Sequence, residues 1–398
     1  MGSSEYWWSG QERGWRYLAF RLDGTGVQGA SLDNELPLRD VSMTDVDSGP
    51  PQLTGTISPV FKRLIAPDGD PILREWGTAI FAESNGVIRG GGILVNSSFT
   101  GPDWRLEVSG FSSYLRGMGY EAVSSFTETD ALDLVRHVWD HVQSGERSNL
   151  GLVLDRTTTT GMLVGKATPV PVTAEDGSVI ADPSAYYGTA SQDQQPFTLN
   201  PWETDDLGDV VDQLARDTPF GYHERHQWNV DKTIVEHYLD FGSPSIGTRR
   251  NLRFVLGENV FTAPEMARDG SRYANHVRVL GAGEGSATVR AEARAQDGRL
   301  RRMVTVDDDG LEDGTRAQLA ARSELARRSI LGTISRVAVL DTPQTPLGSW
   351  QAGDEIRIQG ELDWVEFDLW FRVTALTITP DSPEVITMDV VRIDSIAR

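Results

Sequence analysis

Residues 76–110 read WGTAIFAESNGVIRGGGILVNSSFTGPDWRLEVSG, and this stretch decides the fold. An SNG tripeptide and three consecutive glycines separate runs of apolar and β-branched residues, and Arg105–Ser109 alternates polar with apolar side chains. Period-two alternation between Gly- and Asn-rich turns is typical of short antiparallel strands. The pattern returns in residues 353–393, where Glu355–Gln359 alternates strictly. We therefore predict two similar small β-barrels with a mixed segment between them.

Helical periodicity replaces the strand pattern in the middle of the chain. After a helix start at Thr127–Asp130, four apolar residues are spaced three to four apart: Leu132, Val135, Trp139 and Val142. This spacing predicts an amphipathic helix of about four turns. Two more helices are predicted over Asp205–Arg216 and Thr315–Ile330.

The chain of 398 residues is longer than one hydrophobic core usually serves. We predict a mainly β protein in three domains. They are an N-terminal β-barrel domain over residues 1–110, a middle α+β domain over 111–272, and a second β-barrel domain over 273–398 with a helix near 315–330. A long Pro- and Gly-rich loop at 167–200 is either a contact surface or an excursion without a specific role.

Charge and composition exclude several classes of protein. Asp and Glu number 58 against 37 Lys and Arg, a net charge of −21, which opposes sequence-specific binding to nucleic acid. The absence of cysteine excludes disulfides and thiolate metal sites. No apolar run is long enough for a membrane span, and we expect no secretion signal.

Histidines are the first candidates for chemistry. His137 and His141 lie four residues apart on the first predicted helix and could face one metal ion, but Val138 stands where a zinc protease has Glu. His223, His226 and His237 form a looser set. For both sets we favour ordinary surface or half-buried histidines over metal ligands.

Glycine-rich and acidic segments are the next candidates. Gly281–Gly285 follows a strand, yet the alternation over Ala287–Ala293 predicts another strand where a nucleotide-binding loop needs a helix. Gly90–Gly92 is interpreted as a turn or bulge. The acids of Asp307–Asp309, with Glu312 and Asp313, lack the spacing of an EF-hand, and a solvated helix start is favoured over ion binding. We predict no catalytic, cofactor-binding or metal-binding residue.

Aromatic residues concentrate near the N-terminus: Tyr6, Trp7, Trp8, Trp15 and Tyr17. Such residues can stack on sugars or dock onto a partner subunit, because aromatic side chains dominate interface hot spots. For Trp15 and Tyr17 we favour packing in the core.

The order of elements resembles that of phage tail hub proteins, the baseplate hub and tail-tip proteins related in fold to the hub of the type VI secretion spike. The resemblance covers nearly the whole chain and is that of a minor tail protein of a siphophage with an actinobacterial host. The segments that carry it are Glu75-Trp76-Gly77, Gly91-Gly92-Ile93-Leu94, Leu106–Leu115, Leu207–Arg216, Tyr273–Val279 and Gly353-Asp354-Glu355-Ile356.

The resemblance implies a structural role in the virion without enzymatic activity. It implies a homotrimeric ring at the distal tip of the tail, assembled in the host cytoplasm, in which two barrels per subunit continue the hexameric tube. The implied partners are the distal tail protein, the tape measure protein and central fibre or spike proteins. DNA would pass through an acidic lumen that repels phosphate. Many hubs carry a C-terminal lysin or fibre-binding extension, which we do not expect here.

A second class of function stays open. Abundant tryptophan and acidity also suit a glycan-binding or glycan-hydrolysing β-protein in host cell-wall attachment. A hub should form a trimer without turnover, whereas a glycosidase should bind oligosaccharide in any oligomeric state.

Overall fold

The computed structural model describes residues 14–26, 31–33, 35–58, 64–66, 69–165, 196–262, 266–268, 270–283, 285–308, 311, 314–329, 332–362, 365–382 and 385–393. The chain divides into two compact units. The first comprises residues 1–247 with 379–382, and the second comprises 248–378 with 383–398.

A seven-stranded antiparallel sheet forms the base of the first unit, with the order β3-β4-β7-β6-β5-β1-β2. In chain order its strands are β1 (Trp15–Arg21), β2 (Ser31–Asp33), β3 (Arg39–Val46), β4 (Gln52–Ile57), β5 (Thr78–Ser84), β6 (Val87–Thr100) and β7 (Asp103–Ser109). The quoted stretch 76–110 thus folds as the meander β5-β6-β7, as its pattern predicts.

Gly91 and Gly92 lie inside β6 rather than in a turn. A Cβ on Gly91 would stand 2.3 Å from the Ile80 carbonyl oxygen, and one on Gly92 would stand 2.1 Å from that of Ser109. The register of β6 against β5 shifts between Ala82 and Glu83. The bulge interpretation is therefore confirmed, with Arg89 next to Gly90 as the extra residue, while Gly91 and Gly92 allow both neighbouring strands to approach closely.

Shorter strands and two helices complete the first unit. They are β8 (Ser124–Phe126), β9 (Thr129–Asp130), α1 (Ala131–Ser144), β10 (Leu152–Leu154), β11 (Leu163–Val164), β12 (Phe197–Leu199), α2 (Leu207–Asp217), β13 (Gly221–Trp228) and β14 (Val235–Gly242). β13 and β14 form an antiparallel hairpin, and β10 pairs parallel to β14. One core packs the sheet, this hairpin and both helices together, around Phe20, Phe81, Phe111, Trp139 and Leu239.

Both helices begin at an aspartate that caps the N-terminus. The Asp130 carboxylate accepts from the Leu132 amide at 2.9 Å, and the Asp206 carboxylate accepts from the Gly208 amide at 2.8 Å. The four apolar residues predicted on one face of α1 are all buried. The two helix predictions in this unit are confirmed to within two residues.

The second unit contains a five-stranded sheet with the order β15-β22-β23-β24-β21. Its strands are β15 (Arg249–Val255), β21 (Arg336–Leu340), β22 (Glu355–Leu362), β23 (Val365–Ile378) and β24 (Val385–Arg392). β22, β23 and β24 form the second predicted meander, while β15 joins β22 in parallel.

A small α/β layer also belongs to the second unit. Its elements are β16 (Met266–Arg268), β17 (His276–Leu280), β18 (Arg290–Arg294), β19 (Met303–Asp307), α3 (Gly314–Ser329) and β20 (Gly332–Ile334). The sheet order is β18-β17-β19, and α3 packs on one face through Val277, Val279, Ala291 and Ala293.

The mainly β fold is confirmed, but two closed barrels are not. In the ranges described above, neither unit has a continuous ladder joining the ends of its larger sheet. In the second unit, Val260 forms isolated bridges with Leu256 and Val339. A barrel needs a full ladder at that position. The three-domain division stays a prediction.

Several predictions fall on residues outside the described ranges. They include Tyr6, Trp7, Trp8, most of the loop 167–200, Asp309, Glu312 and Asp313. No helix in the described part of the chain is long and apolar enough to cross a membrane.

Candidate functional site

The histidine pair of α1 contacts a tyrosine. The Nε2 atom of His137 lies 2.7 Å from the Tyr120 hydroxyl, and the His141 ring centroid lies 4.3 Å from that of Tyr120. Burial and the neighbouring His141 lower the pKa of His137. Among the described residues, no group of three or more His, Asp and Glu side chains is placed to hold a metal ion.

The second histidine set forms a buried polar cluster with Glu224 in the core of the first unit. The Nδ1 atoms of His226 and His237 are 3.0 Å apart, and His226 Nε2 is 3.6 Å from Glu224. Phe111 packs edge-on against His237, with ring centroids 4.4 Å apart. Burial, with the adjacent His226, lowers the pKa of His237 well below its ordinary value. His223 instead bonds Asp45 at 3.0 Å.

Glu224 connects the cluster to the backbone of a neighbouring turn. Its carboxylate accepts from the amides of Phe111 at 2.7 Å and Ser112 at 2.6 Å, at the start of the 3-10 turn Phe111–Leu115. Gly110 must lack a side chain, because a Cβ there would stand 2.7 Å from the Glu224 oxygens. The cluster thus anchors a turn that carries Tyr114.

The glycine-rich candidate connects two antiparallel strands. Residues 281–289 join β17 to β18 and include the 3-10 turn Gly285–Ala287. The hairpin interpretation is confirmed, but the strand predicted from Ala287 begins only at Arg290. The loop continues three residues further than the alternation suggests because Ala287 is the last residue of the 3-10 turn.

A cleft of about 610 Å³ lies between two loops of the first unit. Trp76 stands at its rim with 54% of its surface exposed, and its ring centroid is 6.2 Å from that of Tyr114. Arg21, Arg74 and Arg147 line the cleft together with the acids Asp23 and Glu75. Binding pockets are commonly of this volume and combine an apolar wall with a few polar groups.

The tip of the β6–β7 hairpin exposes a second aromatic pair. Phe99 is 74% exposed and stacks on Trp104, with ring centroids 5.2 Å apart. From Asn96 onward β6 has no buried residue. The hairpin end therefore extends beyond the core and presents an aromatic surface suited to a partner.

The sheet β18-β17-β19 carries arginines on the face opposite α3. This arginine face consists of Arg278, Arg290, Arg294 and Arg301 around Glu292 and His276. Glu292 accepts from Arg294, His276 and Arg278, which lowers its pKa to about 2. Arg301 donates to His276 Nδ1 at 2.8 Å, and His276 Nε2 lies 3.0 Å from the Glu292 carboxylate and 3.1 Å from Arg294 Nε.

Charge is distributed unevenly along the chain. Residues 1–247 hold 35 acidic and 17 basic side chains, whereas residues 248–398 hold 23 acidic and 20 basic ones. The first segment therefore carries most of the negative charge, and the arginine face is a basic surface in an acidic protein.

Sequence reasoning missed the cleft and the arginine face. Residues 74–77 and 147–151 are far apart in sequence, and nothing in either segment indicates that the two meet. The alternation over Ala287–Ala293 predicts a strand, but it does not indicate that Arg278 and Arg301 from other segments lie beside that strand. Tyr17 is buried, as predicted, and Trp15 is half-buried.

No protein-family model matches the sequence. No curated protein matches it either. Among solved structures the chain resembles the 43 kDa tail protein of prophage MuSo2 from Shewanella oneidensis, with a TM-score of 0.55 and 12% identity over 96% of this chain and 99% of that one. The tail protein from Neisseria meningitidis MC58 gives a TM-score of 0.51 and 14% identity over 96% and 98% of the two chains. Prophage tail protein gp18 from Listeria monocytogenes gives 0.50 and 9% over 94% of each.

These likenesses concern the fold, because the identities are low. The chain has the fold of these phage tail proteins along almost its entire length, and the match includes nearly all of each relative. The resemblance noted in the sequence is therefore confirmed as a phage tail protein fold, while the hub role, the siphophage type and the actinobacterial host stay predictions.

Proposed function

We propose that the protein is a structural component of a bacteriophage virion. It is a tail hub protein that forms a homotrimeric ring at the distal end of the tail tube. It joins the distal tail protein and the tape measure protein to central fibre or spike proteins. The observation that carries this proposal is the match over 96% of this chain and 99% of the MuSo2 tail protein.

The surfaces of the molecule support assembly over catalysis. The exposed Phe99, which stacks on the half-buried Trp104 at the β6–β7 tip, offers an aromatic anchor, and aromatic residues are enriched at protein interfaces. The clustered histidines and Glu224 are buried in the core, where they hold a turn and reach no substrate.

The arginine face, a basic surface in an acidic chain, supports self-association. The arginine face of one subunit is complementary to the acidic surface of residues 1–247 in the next. Such a contact joins two different surfaces, and contacts of this kind close into a ring when the rotation between subunits is right. We propose this head-to-tail contact as the trimer interface.

The excess of acids also suits the passage of DNA. Carboxylates that line a bore repel phosphate groups, whereas a basic bore would retain the DNA. We propose that acids of residues 1–247 line the lumen. A ring structure with a bore lined by lysine and arginine contradicts this part of the proposal.

The mass of the purified full-length protein in solution, measured by light scattering and combined with electron microscopy, tests the proposal. We expect a mass three times that of one chain and ring-shaped particles. A monomer that also fails to form rings with purified distal tail protein overturns the hub assignment. Immunogold labelling at the tail tip of virions tests the location independently.

A further inference from the structure

We propose that the cleft between Trp76 and Arg147 is an oligosaccharide-binding site, in which a pyranose ring stacks on the Trp76 indole. The cleft has the 610 Å³ and the mixed lining that a small saccharide needs. The site lies wholly within the first unit, so it does not depend on the proposed ring.

Trp76 is held in an unfavourable backbone conformation that presents its indole to solvent. Its φ is 58°, a value that bulky residues rarely adopt. The Trp76 amide donates to the Leu94 carbonyl at 2.8 Å, and the Gly77 amide donates to the Arg74 carbonyl at 3.0 Å. An exposed tryptophan in a strained conformation does not serve core packing, and such strain is concentrated at functional sites.

The wall of the cleft opposite Trp76 also contains a residue with a positive φ. Arg147 has a φ of 56°, and its loop is tied by two hydrogen bonds to the segment that follows β1. The Asn149 amide donates to the Gly24 carbonyl at 3.0 Å, and the Gly26 amide donates to the Asn149 carbonyl at 3.0 Å. Both walls are therefore fixed before any ligand arrives, which lowers the entropic cost of binding.

The polar groups of the cleft match the hydroxyls of a sugar. Hydrogen bonds from Thr25 lower the pKa of Asp23, and a hydrogen bond from Ser97 lowers that of Glu75, so both carboxylates are ionised acceptors at neutral pH. The Arg147 guanidinium supplies donors beside them. A flat apolar ring flanked by donors and acceptors suits a pyranose, which has an apolar face and a polar edge.

Retention of the full-length protein on a printed oligosaccharide array tests the site, followed by calorimetric titration with the best-retained trisaccharide. Trp76→Gly is the informative variant, because glycine adopts the positive φ without steric cost and the fold is preserved. We expect its affinity to fall at least tenfold. Glu75→Gln, which removes one exposed carboxylate, should weaken binding severalfold.

Trp202→Ala is the matched control, since Trp202 is 71% exposed and lies outside the cleft. It should bind as the wild type does. Retention of no saccharide by the wild-type protein overturns the proposal, as does equal binding by wild type and Trp76→Gly. A monomeric protein that still binds through Trp76 would weaken the hub assignment and leave this site intact.

Discussion

Glu224 shows how one buried residue organises a distant turn. Its side chain is fully excluded from solvent, and its two oxygens accept from consecutive amides more than a hundred residues away. A carboxylate so placed is stabilised by the partial positive charge of the amides at the start of a helical turn. The turn then carries Tyr114 into the wall of the cleft.

Glu224→Gln tests this anchor, because the amide has one acceptor oxygen instead of two and leaves a backbone N–H without a partner. We expect the free energy of unfolding to fall by about 3 kcal/mol. Urea denaturation measures the change. Glu236→Gln on the same hairpin is the control. Because this carboxylate is partly exposed, its replacement should lower the free energy of unfolding by about 0.5 kcal/mol or less. Equal losses of stability in both variants would contradict the role of Glu224 as the anchor of the turn.

His237 should make the stability of the first unit depend on pH. Its pKa lies well below the ordinary 6.5, so the unfolded chain binds a proton below that pH while the folded chain does not. Stability is therefore fully present above about pH 6.5 and falls as the pH drops, by up to about 1.4 kcal/mol per pH unit. Urea denaturation between pH 7 and 5 should show a shallower slope for His237→Phe. An unchanged slope would show that His237 is not the group that makes the stability depend on pH.

His223 acts in the opposite direction. Burial lowers the pKa of His223, but the hydrogen bond to Asp45 and nearby acids outweigh burial and raise it overall. A raised pKa contributes stability below the ordinary value of 6.5, and this contribution is lost as the pH rises through the shifted value. His223→Gln should therefore remove stability chiefly at acidic pH, which the same denaturation series detects.

Among the elements, α1 is defined by its capping aspartate and also by hydrogen bonds from that aspartate to a distant loop. Asp130 accepts from the Leu132 amide at the helix start and also from the amides of Thr160 and Gly161, each at 2.9 Å. Burial raises the pKa of Asp130, yet these bonds outweigh burial and lower it. The cap therefore also fixes the loop that follows β10.

Asp130→Ala should lower the free energy of unfolding by about 2–3 kcal/mol, because it removes the cap and the bonds to the loop. The control is Asp209→Ala in the first turn of α2, where the side chain is 74% exposed and the expected loss is under about 1 kcal/mol. Thermal and urea unfolding measure both variants. A loss at Asp130 no larger than at Asp209 would show that the loop bonds contribute little.

For the whole molecule, the proposed ring predicts that charge reversal on the arginine face weakens assembly. Arg290 is exposed there, whereas Arg322 is exposed on the side of α3 that faces away from the sheet. Arg290→Glu should weaken self-association at least about tenfold, and Arg322→Glu should leave it unchanged. Sedimentation across salt concentrations measures both, since screening should weaken the wild-type contact too. Equal behaviour of the two variants would place the interface elsewhere.

The sequence by itself determined the elements of this protein. The alternation in 76–110 and 353–393 specified two meanders, and the apolar spacing after Asp130 specified α1, because strand and helix periodicities and caps depend on neighbouring residues. Only the tertiary structure decided the open ends of the sheets, the close approach of β5 and β7 to β6 at Gly91 and Gly92, and the meeting of Trp76 with Arg147. Those features depend on which distant strands and loops pair, and the free energy of that pairing is spread over the whole core.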